Sequence, residues 1–168
     1  FFMNNEMNDF VLKPGVPNIY GLSGTKRNLV APGRRMVSSM SPTVVEDPQG
    51  RLFMVIGAPG GSTIITTTFQ VIMNVIDHDM DIQQAIAAGR IHHQWKPRAL
   101  SYEMNTLPHD VVWNLRARGW PVTMGVFGGI PQWGRAQGLR IKHPKRPGQT
   151  RTFYGSSDPR GTGAAVGF

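Results

Sequence analysis

The sequence contains no cysteine among its 168 residues. That excludes disulfides and thiolate metal sites and leaves the redox compartment open. No apolar run reaches the roughly 20 residues of a helical membrane span. Phe1 opens neither a signal peptide nor an ordinary translation start, so the chain reads as truncated or processed. Acidic residues are absent from Val111 to Ser157, a stretch with eight Lys or Arg, whereas the remainder carries ten of each sign. The whole net charge of +8 therefore sits in one segment. Arg135, Arg140, Lys142, Lys145, Arg146 and Arg151 could meet a polyanion there, but Pro and Gly accompany them instead of interleaved aromatics. A solvated basic loop gives the same pattern. Internal repeats are also lacking.

With 40% hydrophobic residues, the chain can bury a sizeable core, and nothing in its length requires more than one domain. Its chemistry is concentrated between Arg34 and Ser62. Thr43–Val45 and Leu52–Ile56 read as strands, joined by the turn Asp47-Pro48-Gln49-Gly50. The second strand, LFMVI, is apolar at every position, which predicts cover on both faces. It stops at Gly57-Ala58-Pro59-Gly60-Gly61, after which Ser62 is placed to cap a helix through IITTTFQVIMNVI. Free N–H groups at such a turn suit a developing oxyanion, and two glycines admit a reacting carbonyl to the backbone. A plain strand-to-helix turn would carry the same glycines. No Lys follows them as in a P-loop.

Other features extend this pattern. Glu6 and Asp9 are three residues apart, a spacing that sets two carboxylates on one side of a turn, where they could grip an ammonium group or simply face water. Lys13–Arg27 carries too many Pro and Gly for a helix and reads as a loop. Ser38 and Ser39 could be strand-edge hydroxyls or two neutral donors to one carboxylate. Asp81 and Gln84 form a capping-box pattern ahead of IQQAIAAG, with Gly89 as its stop. His92 and His93 are adjacent in an extended segment, without HExxH spacing or an acidic partner, and read as packing residues. Leu107–Gly119 is an amphipathic helix with Val111, Val112 and Leu115 inward and Arg116 and Arg118 outward. Trp120–Val122 opens a strand, and GLRI at 138–141 with RTFYG at 151–155 are two more, joined by HPKRPGQ. Phe1–Asn4 reads as the end of another strand.

The ordered set NNEMNDF, KPGVPNIYGL, SSMSP, PGGS, RIHHQW and YGSSDPRGTGAAVGF resembles the γ-glutamyltransferases over nearly the whole chain. The resemblance implies an α+β fold, a partial αββα sandwich of the N-terminal nucleophile hydrolase type. Residues 1–168 would form a single-domain fragment, the C-terminal part of the small catalytic subunit, lacking its first strands. It implies γ-glutamyl transfer or glutathione hydrolysis through a threonyl ester, after self-cleavage of a precursor. Gly60 and Gly61 would form the oxyanion hole, Ser38 and Ser39 hold the α-carboxylate, and Glu6 with Asp9 bind the α-ammonium. Tyr20 matches a lid aromatic. No match exists here for the nucleophilic threonine, so the chain alone is expected to be inactive. Its expected partners are the large subunit of the same precursor, the rest of the small subunit and a small γ-glutamyl substrate. No cofactor, metal or nucleic acid is implied, and a periplasmic or secreted setting is. Arg34 and Arg35 receive no site role, since the family's carboxylate-binding arginine belongs to the large subunit, and Asp158-Pro159-Arg160 reads as support near the site. Two departures stand out: Met36-Val37 replaces a usual Pro-Leu, and the basic loop is longer than usual. A related β-lactam acylase, a poly-γ-glutamate depolymerase, or a basic non-catalytic polyanion binder are the alternatives. The Ser38-Ser39 pair argues against the acylase.

Overall fold

A computed structural model describes residues 6–125, 133–144, 146 and 148–167. The strand expected at Phe1–Asn4 lies outside them, as do residues 126–132 of the Gly- and aromatic-rich stretch Gly125–Gly134. Two sheets and three α-helices make up the described chain. The larger sheet is wholly antiparallel, in the order β1 (Thr43–Glu46), β2 (Leu52–Gly57), β6 (Gln137–Lys142) and β7 (Thr152–Ser157). The smaller sheet pairs β3 (Ile91–His92) antiparallel to β4 (Leu100–Tyr102), which runs parallel to β5 (Val122–Met124). Parallel neighbours require a crossover, and α3 (His109–Ala117) supplies it.

The β1–β2 hairpin forms as its sequence predicts. Gly50 N–H donates to Asp47 O at 2.8 Å, and the Asp47 carboxylate accepts from the N–H groups of Gln49 and Arg51. Gly50 has a φ of 72°, the left-handed conformation that a tight turn asks of glycine. The register slips once, between Val45 and Glu46, where a bulge absorbs the odd residue.

One face of the larger sheet carries the core. Met54 and Ile56 of β2 point to it and pack with Val71 and Val75 of α1 (Thr63–Ile76) and with Ile82, Ala85 and Ile86 of α2 (Ile82–Ala87). The opposite face is different. Val44 pairs with Val55 there, and Val55 with Leu139, yet Val44, Val55 and Phe153 are exposed. The expectation that LFMVI is covered on both faces therefore fails within the described residues: the sequence supplies apolar side chains for two covering layers, and only the α1–α2 layer is present. Likewise Val111, expected inward on α3, is exposed, and Val112 alone of that helix is buried. With nine residues, α3 buries a narrower stripe than its pattern allows.

Helix starts also depart from expectation in one case. Ser62 stands at the N-cap position of α1 but makes no capping hydrogen bond. Its own backbone is helical rather than extended, so the side chain is not placed to accept from the N–H groups of the first turn; Thr63 Oγ1 donates to Gly60 O at 2.8 Å. At α2 the full capping box forms, with Asp81 Oδ1 accepting from Gln84 N–H at 2.8 Å and Gln84 Oε1 accepting from Asp81 N–H at 3.3 Å. That helix ends before Ala88 rather than at Gly89. Gly89 serves a close approach, since a Cβ there would stand 2.2 Å from Thr106 Oγ1. Removing the exposed cap with Asp81→Ala should cost about 1 kcal/mol and lower the melting temperature of the full-length protein by a few degrees, measured by calorimetry.

Candidate functional site

The turn at Gly60-Gly61 is the geometric centre of the site. Gly60 has φ 145° and Gly61 φ 57°, both unfavourable for a residue with a side chain. Space enforces the same choice. A Cβ on Gly60 would lie 2.6 Å from Thr63 Oγ1 and 2.8 Å from Gly134 Cα; one on Gly61 would lie 2.2 Å from Tyr20 Cζ. The carbonyls of the turn are all engaged: Pro59 O accepts from Arg135 N–H, Gly60 O from Thr63, and Gly61 O from Ile64 N–H and Ser39 Oγ. The N–H groups of Gly60 and Gly61 donate to no described residue. Two free donors at the start of a 14-residue helix are an arrangement suited to an anionic oxygen.

Around this turn the structure gathers most of the residues singled out from sequence. Asp9, Tyr20, Ser38 and Ser39 line one cavity of about 420 Å³, together with Ser62 and Ile65 at the start of α1. Glu6 joins them through Ser38, whose Oγ donates to Glu6 Oε1 at 2.8 Å. Glu6 and Asp9 fall on a single 3₁₀ turn, Glu6–Asp9, so their carboxylates repel. Burial, and then the charge of Glu6, hold the Asp9 carboxyl above its ordinary range. Asn28 ties the Asp9 turn to the segment ahead of Ser38, donating from Nδ2 to Asp9 O at 2.7 Å and accepting from Val37 N–H at 3.2 Å. Both serine hydroxyls donate to protein acceptors. Ser38 gives its proton to Glu6, and Ser39 gives its own to Gly61 O at 2.9 Å.

Tyr20 belongs to the loop predicted at Lys13–Arg27, which folds on itself through the Pro17–Ser23 bridge and lays the Tyr20 ring on Gly61. A larger cleft of about 1060 Å³ opens elsewhere, between the β1–β2 turn, the start of α2 and strands β6 and β7. Its polar lining, including Arg51, Arg140, Lys142 and His143, lies apart from the glycine turn, and size alone assigns it no chemistry. Among the described residues no three His, Cys, Asp or Glu side chains come together as metal ligands. His92 is buried with both ring nitrogens hydrogen-bonded, and His93 stacks edge-on against Trp120.

Beneath the turn runs a charged network, of which the sequence marked only Asp158-Pro159-Arg160 as support near the site. Arg90 is 2% exposed and donates to Asp158 Oδ2 at 2.6 Å, to Ile86 O at 2.9 Å and to Gly134 O. Gly134 is the residue against which Gly60 packs. Asp158 also accepts from Ala136 N–H at 2.6 Å and from Arg160, which in turn grips Glu103 with two nitrogens. The motifs RIHHQW and SDPR marked three of these positions, Arg90, Asp158 and Arg160, by resemblance. No sequence signal marked Glu103 as their partner.

Burial pushes the Asp158 carboxyl up, but the Arg160 N–H, the Arg90 guanidinium and the Ala136 N–H outweigh it and hold the group below its ordinary range. A depressed carboxyl stabilises the fold fully above the unfolded value of about 3.9, and the contribution is lost as pH falls through the folded value. Asp158→Asn should therefore destabilise the full-length protein by about 3–5 kcal/mol near neutral pH, because Arg90 stays buried without its counter-charge. The gap between wild type and variant should close only below about pH 4, as read from thermal unfolding across pH.

Comparison with known proteins gives this arrangement its context. The family model for gamma-glutamyltranspeptidase matches residues 1–168. The chain is 40% identical over 170 residues to the glutathione hydrolase proenzyme of Pseudomonas sp. (strain A14), covering 99% of this chain and 28% of that protein. It is 42% identical over 158 residues to the glutathione hydrolase proenzyme of Escherichia coli (strain K12), covering 94% of this chain and 25% of that protein. It thus spans about a quarter of the length of these relatives. Among solved structures, a mutant gamma-glutamyltranspeptidase from Helicobacter pylori superposes with a TM-score of 0.83 at 43% identity, over 96% of this chain and 82% of that one. The α+β architecture is that of the N-terminal nucleophile hydrolases. With its whole length matched and its fold superposed almost throughout, the chain belongs to the γ-glutamyltranspeptidase family.

Proposed function

We propose that this chain supplies the substrate-binding and oxyanion shell of a γ-glutamyl-transferring enzyme acting on glutathione and other γ-glutamyl amides. The reading rests on one observation: Asp9, Tyr20, Ser38 and Ser39 line a single cavity, Glu6 is bonded to Ser38, and the Gly60-Gly61 turn, whose two N–H groups donate to no described residue, is bonded to Ser39 and packed under the Tyr20 ring. In the proposed reaction a threonine hydroxyl, supplied outside this chain, attacks the γ-carbonyl. An ester forms, the C–N bond breaks with the proton passing to the departing amine, and water or an acceptor amine then cleaves the ester. Gly60 and Gly61 stabilise the oxygen that turns anionic in the attack, where one donor contributes roughly 3 kcal/mol of barrier lowering. Ser38 and Ser39 hold the α-carboxylate. Glu6 and Asp9 hold the α-ammonium. The partners are the remainder of the small subunit and the large subunit of a common precursor.

The raised Asp9 carboxyl supports this assignment, because a pocket with excess negative charge gains most from an arriving cation. An ammonium seated beside Asp9 should lower that pKa, and substrate KM should rise as pH falls toward the raised value of the empty site. Glu6→Gln keeps an acceptor for Ser38 and should be mild, whereas Asp9→Ala should be severe. The complete enzyme and both variants would be compared on γ-glutamyl-p-nitroanilide and on its N-acetylated form. Wild type should reject the acetylated compound, by a margin that shrinks in Asp9→Ala. Equal use of both compounds by wild type would refute ammonium recognition.

At the glycine turn, Gly60→Val should lower kcat far more than it raises KM if the donors act on the transition state. Since the added side chain meets Thr63 and Gly134, circular dichroism and self-processing of the variant are the controls. Turnover near wild type in a correctly folded variant would leave the turn with a scaffolding role only.

A further inference from the structure

The Tyr20 segment is held from a second side. Residues 18–22 form a self-contained turn: Asn18 Oδ1 accepts from Tyr20 N–H at 2.9 Å and Leu22 N–H at 3.0 Å, Asn18 O from Gly21 N–H at 2.9 Å, and Leu22 O from Asn18 N–H at 3.0 Å. Such a unit moves as one piece. Among the described residues, the single hydrogen bond reaching its backbone from elsewhere comes from Gln94, whose Nε2 donates to Tyr20 O.

The orientation of Gln94 follows from its partners. Nε2 faces two carbonyls, Tyr20 O and Lys96 O, so the nitrogen must lie on that side. Oε1 then lies 2.8 Å from His92 Nε2 and can only accept. His92 therefore carries its proton on Nε2, leaving Nδ1 to accept from Thr66 Oγ1 at 2.8 Å. At 1% exposure the imidazole is held neutral by burial, in keeping with that tautomer. Donors thus run in one direction, from Thr66 on α1 through His92 and Gln94 to the Tyr20 carbonyl. The glycine turn and the segment covering it are tied to the same helix. Beside the tie, Gly21 sits against Pro97 with φ 73°, close enough that a Cβ would stand 3.0 Å from Pro97 Cδ.

We infer that Gln94 is a latch on the 15–24 segment, a positioning residue that sets how long Tyr20 stays closed over Gly61 and so how readily substrate and acceptor exchange. The inference rests on the proposed function for its kinetic consequence and on geometry alone for its mechanical one. The bond is suited to opening, because Gln94 is only half-buried and water can replace either partner. Losing one such amide–carbonyl bond shifts an open-to-closed ratio by about two- to tenfold. His92 and Thr66 do not move in the process; they hold the amide in its donating orientation.

The test uses the full-length, processed enzyme with three substitutions. Gln94→Glu keeps an acceptor for His92 but cannot donate to Tyr20 O, and Gln94→Met removes both bonds at similar size. Gly21→Ala acts from the loop side, pushing the tip off Pro97, and decides the question should neither Gln94 variant fold. Hydrogen exchange read by mass spectrometry should speed up about two- to tenfold in peptides covering 18–24, with β1, β2 and α1 unchanged. KM for γ-glutamyl-p-nitroanilide should rise by a similar factor, while the saturating single-turnover acylation rate holds. Unchanged exchange at 18–24 in the folded variants overturns the latch. So does faster exchange throughout α1 and β2, which marks a general structural role. Faster local exchange in an enzyme with no γ-glutamyl activity supports the latch and removes the functional reading instead.

Discussion

The ion pair between Arg90 and Asp158 is the interaction on which the rest of the site depends. Its members are 2% and 1% exposed, and desolvating two charges costs several kcal/mol per ion unless every donor and lone pair is satisfied. Here they are well served. Asp158 accepts from Arg90, Ala136 and Arg160, and Arg90 donates to Asp158, Ile86 and Gly134. Three segments far apart in sequence, at 86–90, 134–136 and 158–160, can satisfy those bonds only in one mutual arrangement. An apolar cluster of equal volume would tolerate sliding. The Gly60 turn leans on Gly134, so the position of its free N–H groups is inherited from this network.

How much of this was legible follows from the range of the signals. Local chemistry was readable: Asp47 to Gly50 as a turn, Asp81 with Gln84 as a capping box, and the strand pairs β1–β2 and β6–β7. Each depends on residues a few positions apart. Long-range features were not. Nothing in the neighbourhood of Arg90 announces that it is buried, since a charged residue is normally read as exposed. Its counter-charge lies 68 positions away. The cover of LFMVI on both faces was inferred from composition alone, and composition does not say which segment provides the second layer. Ser62 misled for a different reason. Ser before an apolar run usually caps, but here the backbone at Ser62 is already helical and Thr63 makes the contact with Gly60.

The candidate site was legible chiefly through resemblance. Glu6 and Asp9, read by themselves, are two acids on a surface turn, and Ser38 with Ser39 are two hydroxyls in an extended segment. The structure adds the relation between them: Ser38 bonds Glu6, Ser39 bonds Gly61, and both serines line one cavity with Asp9 and Tyr20. Sequence also missed Gln94. A glutamine between histidine and tryptophan carries no pattern, and only the carbonyls of Tyr20 and Lys96 reveal which way its amide points.

Ser39 shows how tightly the parts of the site are joined. A hydroxyl has one proton to donate, and this one is given to Gly61 O, on the same turn whose N–H groups donate to no described residue. An anion that takes the proton from Ser39 removes that bond, leaving Gly61 O with Ile64 N–H as its remaining partner. Ser38 faces the same exclusivity, because its hydroxyl donates to Glu6 Oε1. Releasing it leaves the Glu6 carboxylate with one donor fewer, beside Asp9, which already carries a raised pKa. Charge entering at the serines is therefore felt at the acids and at the glycine turn alike. Events at the serines and events at the two acids are coupled, and the coupling runs through two serine hydroxyls.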